Sequence, residues 1–409
     1  MKTPENETIP ELRKGMAIIM IELAHIEDAA RRIADAVHKT PLAFSRTFSE
    51  ISGAELYLKC ENLQKTGSFK ARGAFNKLAR IAEFGSLPHL VAASAGNHAQ
   101  GVAYAAARLG AHATIVMPRS TPLAKVAATQ SYEPEIILHG DDYEAAYELA
   151  QSLCNERGAT FVHPFDDADI IAGQGTVALE LLRELPTVDV IVVPCGGGGL
   201  LAGIATCVKA VNPRIRVYGA QSANADAFAR LYNAKHCDDS VTPLPEAVRS
   251  DGKTIADGIA VRNPGALTSS LICAFADGIV TVTDDEIAEA MLLTMERVKL
   301  VTEPSGAVAV AAMMNHRIPD LAGKRVACVV SGGNVDMSRI HTVIEQGLAR
   351  TKQLNHDNAN QFAPRVLRGK TPNGEDSFQD SARTKHTSET HTPPRSVVPR
   401  GKITHHSSR

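Results

Sequence analysis

The stretch of sequence that decides the fold is Val192-Val193-Pro194-Cys195-Gly196-Gly197-Gly198-Gly199-Leu200. The run Val188–Val193 suits a strand that is covered on both faces, which is typical of a parallel sheet. The glycines that follow let the backbone wrap closely around an anion, and the N–H groups at the start of the next helix attract negative charge. The stretch therefore predicts an α/β fold with a phosphate-binding loop at the end of a buried strand.

Two nucleotide motifs compete with this interpretation. The residues Gly197–Ala202 satisfy the dinucleotide pattern G-x-G-x-x-A, which also requires an acid about 20 residues further on, at the end of the next strand. That strand ends at Gln221, and the first acid beyond it is Asp226. A nucleotide P-loop needs a Lys-Ser/Thr pair after the glycines, and none follows here. The glycines therefore favour the phosphate of a smaller cofactor.

From about residue 20 to 350, short β-rich runs alternate with longer Ala-rich runs. Helices are predicted over Ala24–Val37, Ala99–Leu109, Tyr143–Glu156, Gly175–Glu184, Leu200–Val211 and Asp285–Leu300. Strands are predicted over Glu55–Lys59, Leu90–Ala93, Ala113–Met117, Glu135–Leu138, Val188–Val193, Arg216–Gln221, Ile279–Val282 and Arg325–Val330. Alternating βα units are typical of parallel sheets flanked by helices on both sides.

The composition excludes several function classes. The net charge is −2 and aromatic residues make up 4% without any Trp, which argues against a nucleic-acid partner. No apolar stretch approaches the ~18 residues of a membrane span. The seven cysteines are scattered, odd in number and never spaced C-x-x-C, which is typical of reduced thiols in a cytoplasmic protein.

A second stretch, which carries a lysine suited to covalent chemistry, is Gly67-Ser68-Phe69-Lys70-Ala71-Arg72-Gly73-Ala74. A lysine beside a helix N-terminus faces the positive end of the helix dipole, which favours the neutral amine. Partial burial lowers the lysine pKa in the same direction. A neutral amine is what a Schiff-base lysine requires, although a lone lysine is more commonly a surface residue.

Two further stretches follow predicted strands and end in glycine-rich turns. The first is Ser94-Ala95-Gly96-Asn97-His98-Ala99-Gln100-Gly101, where backbone N–H groups with Ser94 and Asn97 form an anion site or an ordinary helix cap. The second is Ser331-Gly332-Gly333-Asn334, at a strand carboxyl end where ligands bind in open α/β sheets.

Together with Ile171-Ala172-Gly173-Gln174-Gly175-Thr176, these stretches resemble the fold type II pyridoxal-phosphate enzymes, the tryptophan-synthase-β-like group. The match covers about residues 24–348 in the family's order. Within the group, the chain is most similar to the serine/threonine dehydratase family, especially the short catabolic threonine ammonia-lyases. The resemblance implies two open, twisted, parallel-rich sheets flanked by helices, with a smaller domain inserted in a larger one.

The resemblance also implies a role for each motif. Lys70 is the catalytic residue: it binds pyridoxal 5'-phosphate as a Schiff base and removes the substrate Cα proton. The implied cofactor contacts are Phe69, Lys70, Asn97, Gly196, Gly197, Gly198, Gly199, Leu200, Gly258, Glu303 and Ser331. The implied substrate-carboxylate loop consists of Ser94, Ala95, Gly96, Asn97 and His98.

The implied reaction converts L-threonine to 2-oxobutanoate and ammonia, with slower conversion of L-serine to pyruvate. Alternatives are a 3-hydroxyaspartate ammonia-lyase or a serine racemase on the same scaffold and, more remotely, a non-catalytic pyridoxal-phosphate-binding protein. The racemase branch has a serine where this chain has Ala95. Relatives with a Mg²⁺ site have carboxylates where this chain has Gln221 and Ala227, so we expect no such metal site.

The same resemblance implies where the domains begin and end. We expect an N-terminal extension over 1–21, a large domain over 22–79 and 166–350, and a small domain over 80–165. Residues 351–409 carry 10 basic and 5 acidic residues and few apolar ones, which predicts a disordered tail. Such a tail cannot fold a regulatory domain, so we expect no inhibition by isoleucine. The resemblance further implies a homodimer or homotetramer.

Overall fold

The predicted alternation of strands and helices is present in the computed structural model, which describes residues 21–237, 253–338 and 340–362. The strands are β1 Leu42–Phe44, β2 Glu55–Lys59, β3 Leu90–Ala93, β4 Ala113–Met117, β5 Glu135–Leu138, β6 Thr160–Phe161, β7 Val190–Pro194, β8 Arg216–Ser222, β9 Gly278–Val282 and β10 Arg325–Val329. The helices are α1 Leu23–Ile33, α2 Arg46–Ser52, α3 Lys70–Ala82, α4 Asn97–Leu109, α5 Leu123–Gln130, α6 Tyr143–Arg157, α7 Ala168–Glu184, α8 Gly199–Val211, α9 Ala227–Cys237, α10 Ala266–Phe275, α11 Asp284–Leu293, α12 Pro304–Met314 and α13 Ile340–Phe362.

The strands form two sheets. The larger has the order β1-β2-β10-β7-β8-β9, and the smaller has the order β5-β4-β3-β6. Every pair is parallel except β1 with β2, which is an antiparallel edge. The strands of the smaller sheet all lie between Leu90 and Phe161, and those of the larger sheet lie on both sides of that range. The predicted α/β class with parallel-rich sheets is confirmed.

The sheet order explains where the site lies. All five residues of β7 are buried, as its unbroken apolar run requires. Strand β10 lies between β2 and β7, so Cys60, Cys195 and Val330 follow three neighbouring strand ends. Because ligands of open α/β sheets bind outside the carboxyl ends of the strands, this edge collects the motif-bearing loops.

The smaller sheet shares a core with the helix that begins at Lys70. Ala71, Ala74 and Leu78 of α3 are fully buried in the same cluster as Leu90 of β3 and Val102 of α4. Apolar residues three and four apart form one face of a helix, and α3 packs mainly against α4 and α7. Helix α3 therefore connects the stretch that carries Lys70 to the stretch that opens α4.

Several predicted boundaries differ from the structure. Helix α7 begins at Ala168 rather than at Gly175, and α1 ends at Ile33 rather than at Val37. The predicted helix Asp285–Leu300 is α-helical only to Leu293, and a π-helical turn, Thr294–Val298, follows before Lys299 adopts φ +64°. Helix α13 continues to Phe362, so placing residues after 350 in a disordered tail began that tail too early. Arg350 and Thr351 bond to the Glu289 carboxylate, which anchors this part of the helix.

The remaining predictions for the chain ends, over 1–20 and 363–409, fall outside the described residues. Within the described ranges, no helix combines the length and the apolar character that a membrane crossing needs. The cysteines described there form no disulfide, namely Cys60, Cys154, Cys195, Cys207, Cys273 and Cys328.

Candidate active site

Lys70 is held beside the end of the central strand β10. The N–H of Phe69 donates to the Ser331 carbonyl at 3.1 Å, and Ser68 forms an isolated bridge with Gly332. The Nζ of Lys70 donates to the carbonyl of Pro164 at 2.7 Å and lies 5.2 Å from the centre of the Phe69 ring. The stretches that carry Lys70 and Ser331 therefore meet through backbone bonds, and Ser331 and Phe69 both lie next to Lys70.

The environment of Lys70 favours loss of its proton. The side chain keeps some exposed surface, but desolvation of the ammonium lowers the pKa of Lys70 to about 8, although the Glu303 carboxylate acts to raise it. A pKa near 8 leaves roughly a tenth of the amine neutral at pH 7. The pKa of Lys70 is therefore lowered in the direction that the sequence predicts, and burial is the main cause of the shift.

Three side chains from distant segments form a hydrogen-bonded chain next to Lys70. The Nδ2 of Asn97 donates to Glu303 Oε1 at 2.6 Å. The Nδ2 of Asn334 donates to Asn97 Oδ1 at 2.8 Å and to the Thr66 carbonyl at 2.7 Å. Burial, reinforced by the nearby Asp257 charge, raises the pKa of Glu303 to about 7. The carboxyl can therefore hold or release a proton near neutrality.

The glycine loop at the start of α8 leaves no room for side chains. A Cβ at Gly197 would overlap the Phe165 ring, and one at Gly196 would lie 2.8 Å from the Ile259 Cα. Gly198 has φ +87°, a left-handed conformation that favours glycine. The free N–H groups at the helix start, including those of Gly199 and Leu200, suit an anion.

The loop Ser94–His98 opens α4 and remains partly accessible. The N–H of Gly96 donates to the Ser94 hydroxyl at 3.2 Å, which shapes the turn. His98 is buried, with its Nε2 2.8 Å from the Val162 carbonyl, and burial lowers the pKa of His98 to about 3. The imidazole is therefore neutral at physiological pH, and the backbone of this loop presents a helix N-terminus.

Gly258 and Gly332 bring the remaining motifs to the same place. A Cβ at Gly258 would lie 2.8 Å from Ser305 Oγ, and one at Gly332 would overlap Glu303 Oε1 and lie 3.2 Å from Asn97 Nδ2. The Gly258 carbonyl in turn lies 3.4 Å from where a Cβ of Gly196 would be. The structure thus connects the predicted residues into one site.

The sequence profile of the family described as pyridoxal-phosphate dependent enzyme matches residues 33–332. The chain belongs to this family. The predictions of a fold type II enzyme and of pyridoxal 5'-phosphate as its cofactor are thereby confirmed.

Individual members of the pyridoxal-phosphate dependent family are similar over most of the chain. L-threonine ammonia-lyase of Thermotoga maritima is 47% identical over 334 residues, which are 81% of this chain and 80% of the relative. The crystal structure of a threonine deaminase from T.th. has a TM-score of 0.70 at 40% identity, covering 77% of this chain and 99% of that one. Maize serine racemase has a TM-score of 0.72 at 35% identity, covering 82% and 99%.

The residues of this pyridoxal-phosphate dependent enzyme fit the cofactor. In the described part of the chain, the buried hydroxyls of Thr66, Ser68 and Ser305 have no hydrogen-bond partner. Such buried polar groups are normally satisfied, and Thr66 and Ser68 shortly precede Lys70 while Ser305 lies beside Gly258, so a polar ligand fits here. The crowded glycine loop adds an anion site, and Lys70 adds an amine with a lowered pKa.

Sequence reasoning missed several residues of this enzyme's site. Pro164 and Phe165 contact Lys70 and the glycine loop, but they follow β6, a strand of two residues that gives almost no periodic signal. Asp257 forms an ion pair with Lys125 at 2.8 Å beside Glu303 and precedes Gly258. The Gly and Pro residues around these positions are the only local sign of a functional loop that the sequence offers there.

The predicted absence of a Mg²⁺ site concerns Gln221 and Ala227. The Gln221 Nε2 donates to the Cys195 carbonyl at 3.1 Å, and its Oε1 accepts from the Ala229 N–H at 2.9 Å. Within the described residues, no group of three or more His, Cys, Asp or Glu side chains is arranged to hold a metal ion.

Proposed function

We propose that this enzyme is an L-threonine ammonia-lyase, which converts L-threonine to 2-oxobutanoate and ammonia and converts L-serine to pyruvate more slowly. The observation that carries the proposal is Lys70, an amine with a pKa of about 8 held between the Ser331 strand end and the Asn97–Glu303 pair. The 47% identity to a protein named L-threonine ammonia-lyase supports the same reaction.

The roles of the individual residues are part of the proposal. Pyridoxal 5'-phosphate supplies an electron sink for the charge left at the substrate Cα. The loop Gly196–Leu200 would hold its phosphate, Phe69 and Gly258 would lie along its ring, and Asn97, Glu303 and Ser331 would bind its polar ring atoms. The crowding at the glycines and the buried hydroxyls support this arrangement.

Lys70 is proposed to take the Cα proton of the substrate. Its lowered pKa leaves a neutral amine available as a base, and the resulting ammonium can donate to the Pro164 carbonyl. The neighbouring Glu303 carboxylate stabilises that positive charge. Once Lys70 has taken the proton, the Pro164 carbonyl accepts a hydrogen bond from its ammonium, and Glu303 lies nearby.

The loop Ser94–His98 is proposed to bind the substrate carboxylate. Its backbone lies at the N-terminus of α4, where N–H groups favour an anion. Because His98 is neutral, the binding energy comes from backbone donors and the helix dipole rather than from a histidine charge. Ala95 carries no hydroxyl, so this loop lacks a side-chain proton carrier at that position, which favours elimination over racemisation.

A comparison of hydroxy amino acids tests the proposal. The purified enzyme is given L-threonine, L-serine and 3-hydroxyaspartate at equal concentrations, and 2-oxo acid and ammonia are measured. We expect L-threonine to have the highest kcat/KM. A preference for 3-hydroxyaspartate would assign the alternative lyase activity, and no turnover of any of the three would contradict the proposal.

Serine racemase is the second candidate, because maize serine racemase has the same fold at 35% identity. The measurement that separates the two is D-serine formation from L-serine. We expect pyruvate to form much faster than D-serine because Ala95 cannot carry a proton. D-serine as the main product would assign the racemase.

We further propose a homo-oligomer in the cytoplasm, with a large domain over 22–79 and 166–350 and a small domain over 80–165. The described cysteines form no disulfide, which supports a reducing compartment, and the two separate sheets support the division into domains. Exposed Phe84 and Leu123, at 78% and 83%, offer apolar contact surface to a second copy. Analytical ultracentrifugation of the full chain measures the oligomeric state.

A further inference from the structure

The segment His163–Asp166 connects two parts of the site that are far apart in sequence. Its Pro164 carbonyl accepts the hydrogen bond from Lys70 Nζ. The His163 Nδ1 accepts from the N–H groups of Phe165 and Asp166 at 3.2 and 2.7 Å, which curls the segment back on itself. The next two side chains, Phe165 and Asp166, point to the glycine loop and to the helix behind it.

Phe165 packs directly against the glycine loop. A side chain at Gly197 would overlap the Phe165 ring, and a Cβ at Gly199 would lie 3.1 Å from the Phe165 carbonyl and 3.2 Å from its Cα. The ring also makes an edge contact with His163, with the ring centres 4.7 Å apart. The backbone of the loop therefore follows the shape of one aromatic side chain.

Asp166 reaches the same loop through α10. Its Oδ2 accepts from the Ala266 N–H at 3.0 Å, and its Oδ1 accepts from the Thr268 N–H at 2.9 Å. These are N–H groups of the first turn of α10, which otherwise lack partners, and the helix dipole favours the negative charge there. A carboxylate 100 residues away in sequence thus caps this helix.

The capped turn of α10 supports the one left-handed glycine of the loop. A Cβ at Gly198 would lie 2.7 Å from Ile272 Cδ1 and 3.1 Å from Thr268 Cβ. Thr268 is also the residue whose N–H bonds to Asp166. Phe165 and Asp166 therefore hold the loop from two sides, one by direct contact and the other through α10.

We propose that Phe165 and Asp166 are positioning residues that preorganise the glycine loop for the phosphate group of the cofactor. The inference rests on the proposed phosphate-binding role of Gly196–Leu200. A loop already held in its binding shape loses little conformational freedom when the anion arrives. When the support is removed, the competent shape is less populated, and the apparent affinity falls by the same fraction.

Binding of two cofactor forms isolates this effect. The apparent dissociation constants of pyridoxal 5'-phosphate and of pyridoxal, which has no phosphate, are measured on full-length protein freed of cofactor, by absorbance titration. We expect Asp166→Ala to weaken binding of the phosphorylated form by about tenfold, the size of a lost helix cap. The dissociation constant of pyridoxal is expected to change by less than about twofold, because its bond to Lys70 does not depend on the glycine loop.

Asp142→Ala is the matched control. Asp142 also caps a helix with its carboxylate, by accepting from the Ala145 N–H at 3.0 Å, but it lies on the surface at the start of α6. We expect this variant to lose a similar amount of thermal stability and to keep both dissociation constants. Equal weakening by Asp142→Ala would show that the effect is one of general stability and would overturn the inference.

Phe165→Leu keeps the Asp166 cap and removes the aromatic ring, so it tests the same idea if Asp166→Ala does not fold. We expect it also to weaken the phosphorylated form selectively. Unchanged affinity in both variants, or equal weakening of both ligands, would contradict the positioning role. If the wild-type protein binds both ligands equally well, the phosphate role of Gly196–Leu200 itself fails, and the positioning role falls with it.

Discussion

Two cations in the first turn of α3 have opposite surroundings. Arg72 is fully buried, with Nε 2.8 Å from Glu61 Oε2 and Nη1 2.7 Å from Glu180 Oε1. Although burial acts to lower it, the Glu61 and Glu180 carboxylates raise the pKa of Arg72 above its ordinary range. Among the described residues, Lys70, two residues earlier, has a neutral carbonyl as its hydrogen-bond acceptor, and desolvation lowers its pKa to about 8.

The difference shows how one helical turn serves two purposes. A guanidinium with two carboxylate partners keeps its charge and its position, so Arg72 fixes α3 to the strand-β2 and α7 segments. An amine without a paired carboxylate can lose its proton, so Lys70 is free to react. The charged neighbours of Arg72 also include Lys59, whose Nζ lies 2.7 Å from Glu180 Oε2.

Removing the reactive cation has the largest expected effect. Lys70→Ala should lower kcat for L-threonine by about 10⁴-fold or more, because both the covalent link and the base are lost. Release of 2-oxobutanoate is the measurement. The exposed neighbour Lys65 is the control, and Lys65→Ala should keep its activity. Turnover by the Lys70 variant at a wild-type rate would contradict the assignment.

Removing the paired cation should act on stability. Arg72→Met leaves the buried Glu61 carboxylate without its cation and leaves Glu180 with Lys59 alone, which should lower the free energy of unfolding by about 3–5 kcal/mol. Urea unfolding followed by circular dichroism measures the change. The exposed pair Arg46–Glu50 provides the control, since Arg46→Met should leave the midpoint unchanged. Equal midpoints for the two variants would contradict the anchoring role.

Glu303, the carboxyl beside Lys70, should make the stability of the folded chain depend on pH. In the folded chain its carboxyl keeps its proton up to about pH 7, against 4.5 for an ordinary glutamate. The folded state binds more protons between these values, so stability falls as the pH rises through them. At pH 8, Glu303→Gln should therefore raise the free energy of unfolding by up to ~3 kcal/mol, because it removes the buried carboxylate charge. Unfolding at pH 4.5 and pH 8 measures it, with exposed Glu50→Gln as the control. If the free energy of unfolding still falls between pH 4.5 and pH 8 in Glu303→Gln, another group is responsible for that fall.

The smallest effect concerns the rate at which the free protein takes up its cofactor. With a pKa of about 8, the neutral fraction of Lys70 rises about tenfold between pH 7 and pH 9. The second-order rate of absorbance change on adding pyridoxal 5'-phosphate should rise by the same factor. A rate that keeps rising towards pH 10.5 would mean that Lys70 resembles an ordinary surface lysine.

The sequence predicted the parts whose cause is local. Strands β2, β3, β4 and β5 match their predicted bounds, because unbroken or alternating apolar runs between turn residues determine them. The glycine loop and Lys70 are recognisable as candidates in the sequence because each lies where a loop leads into the start of a helix. Local periodicity was enough in these cases.

The parts that were missed depend on residues far apart in the chain. Asp166 lies 100 residues from the helix that it caps, and Glu180 lies 108 residues from Arg72. No periodic pattern encodes such pairs. The π-helical turn after Leu293 also escaped prediction, because its sequence continues the helical pattern of α11 without a Gly or Pro.

The place of β10 in the larger sheet has a consequence for biosynthesis. Among the described strands it is the last to be translated, yet it lies between β2 and β7. While the ribosome is still making Arg325, both neighbours expose unpaired strand edges, which can pair with other chains. Ser331 emerges directly behind the strand that closes this gap. Assembly of the sheet and completion of the cofactor site are therefore one late event in the synthesis of the chain.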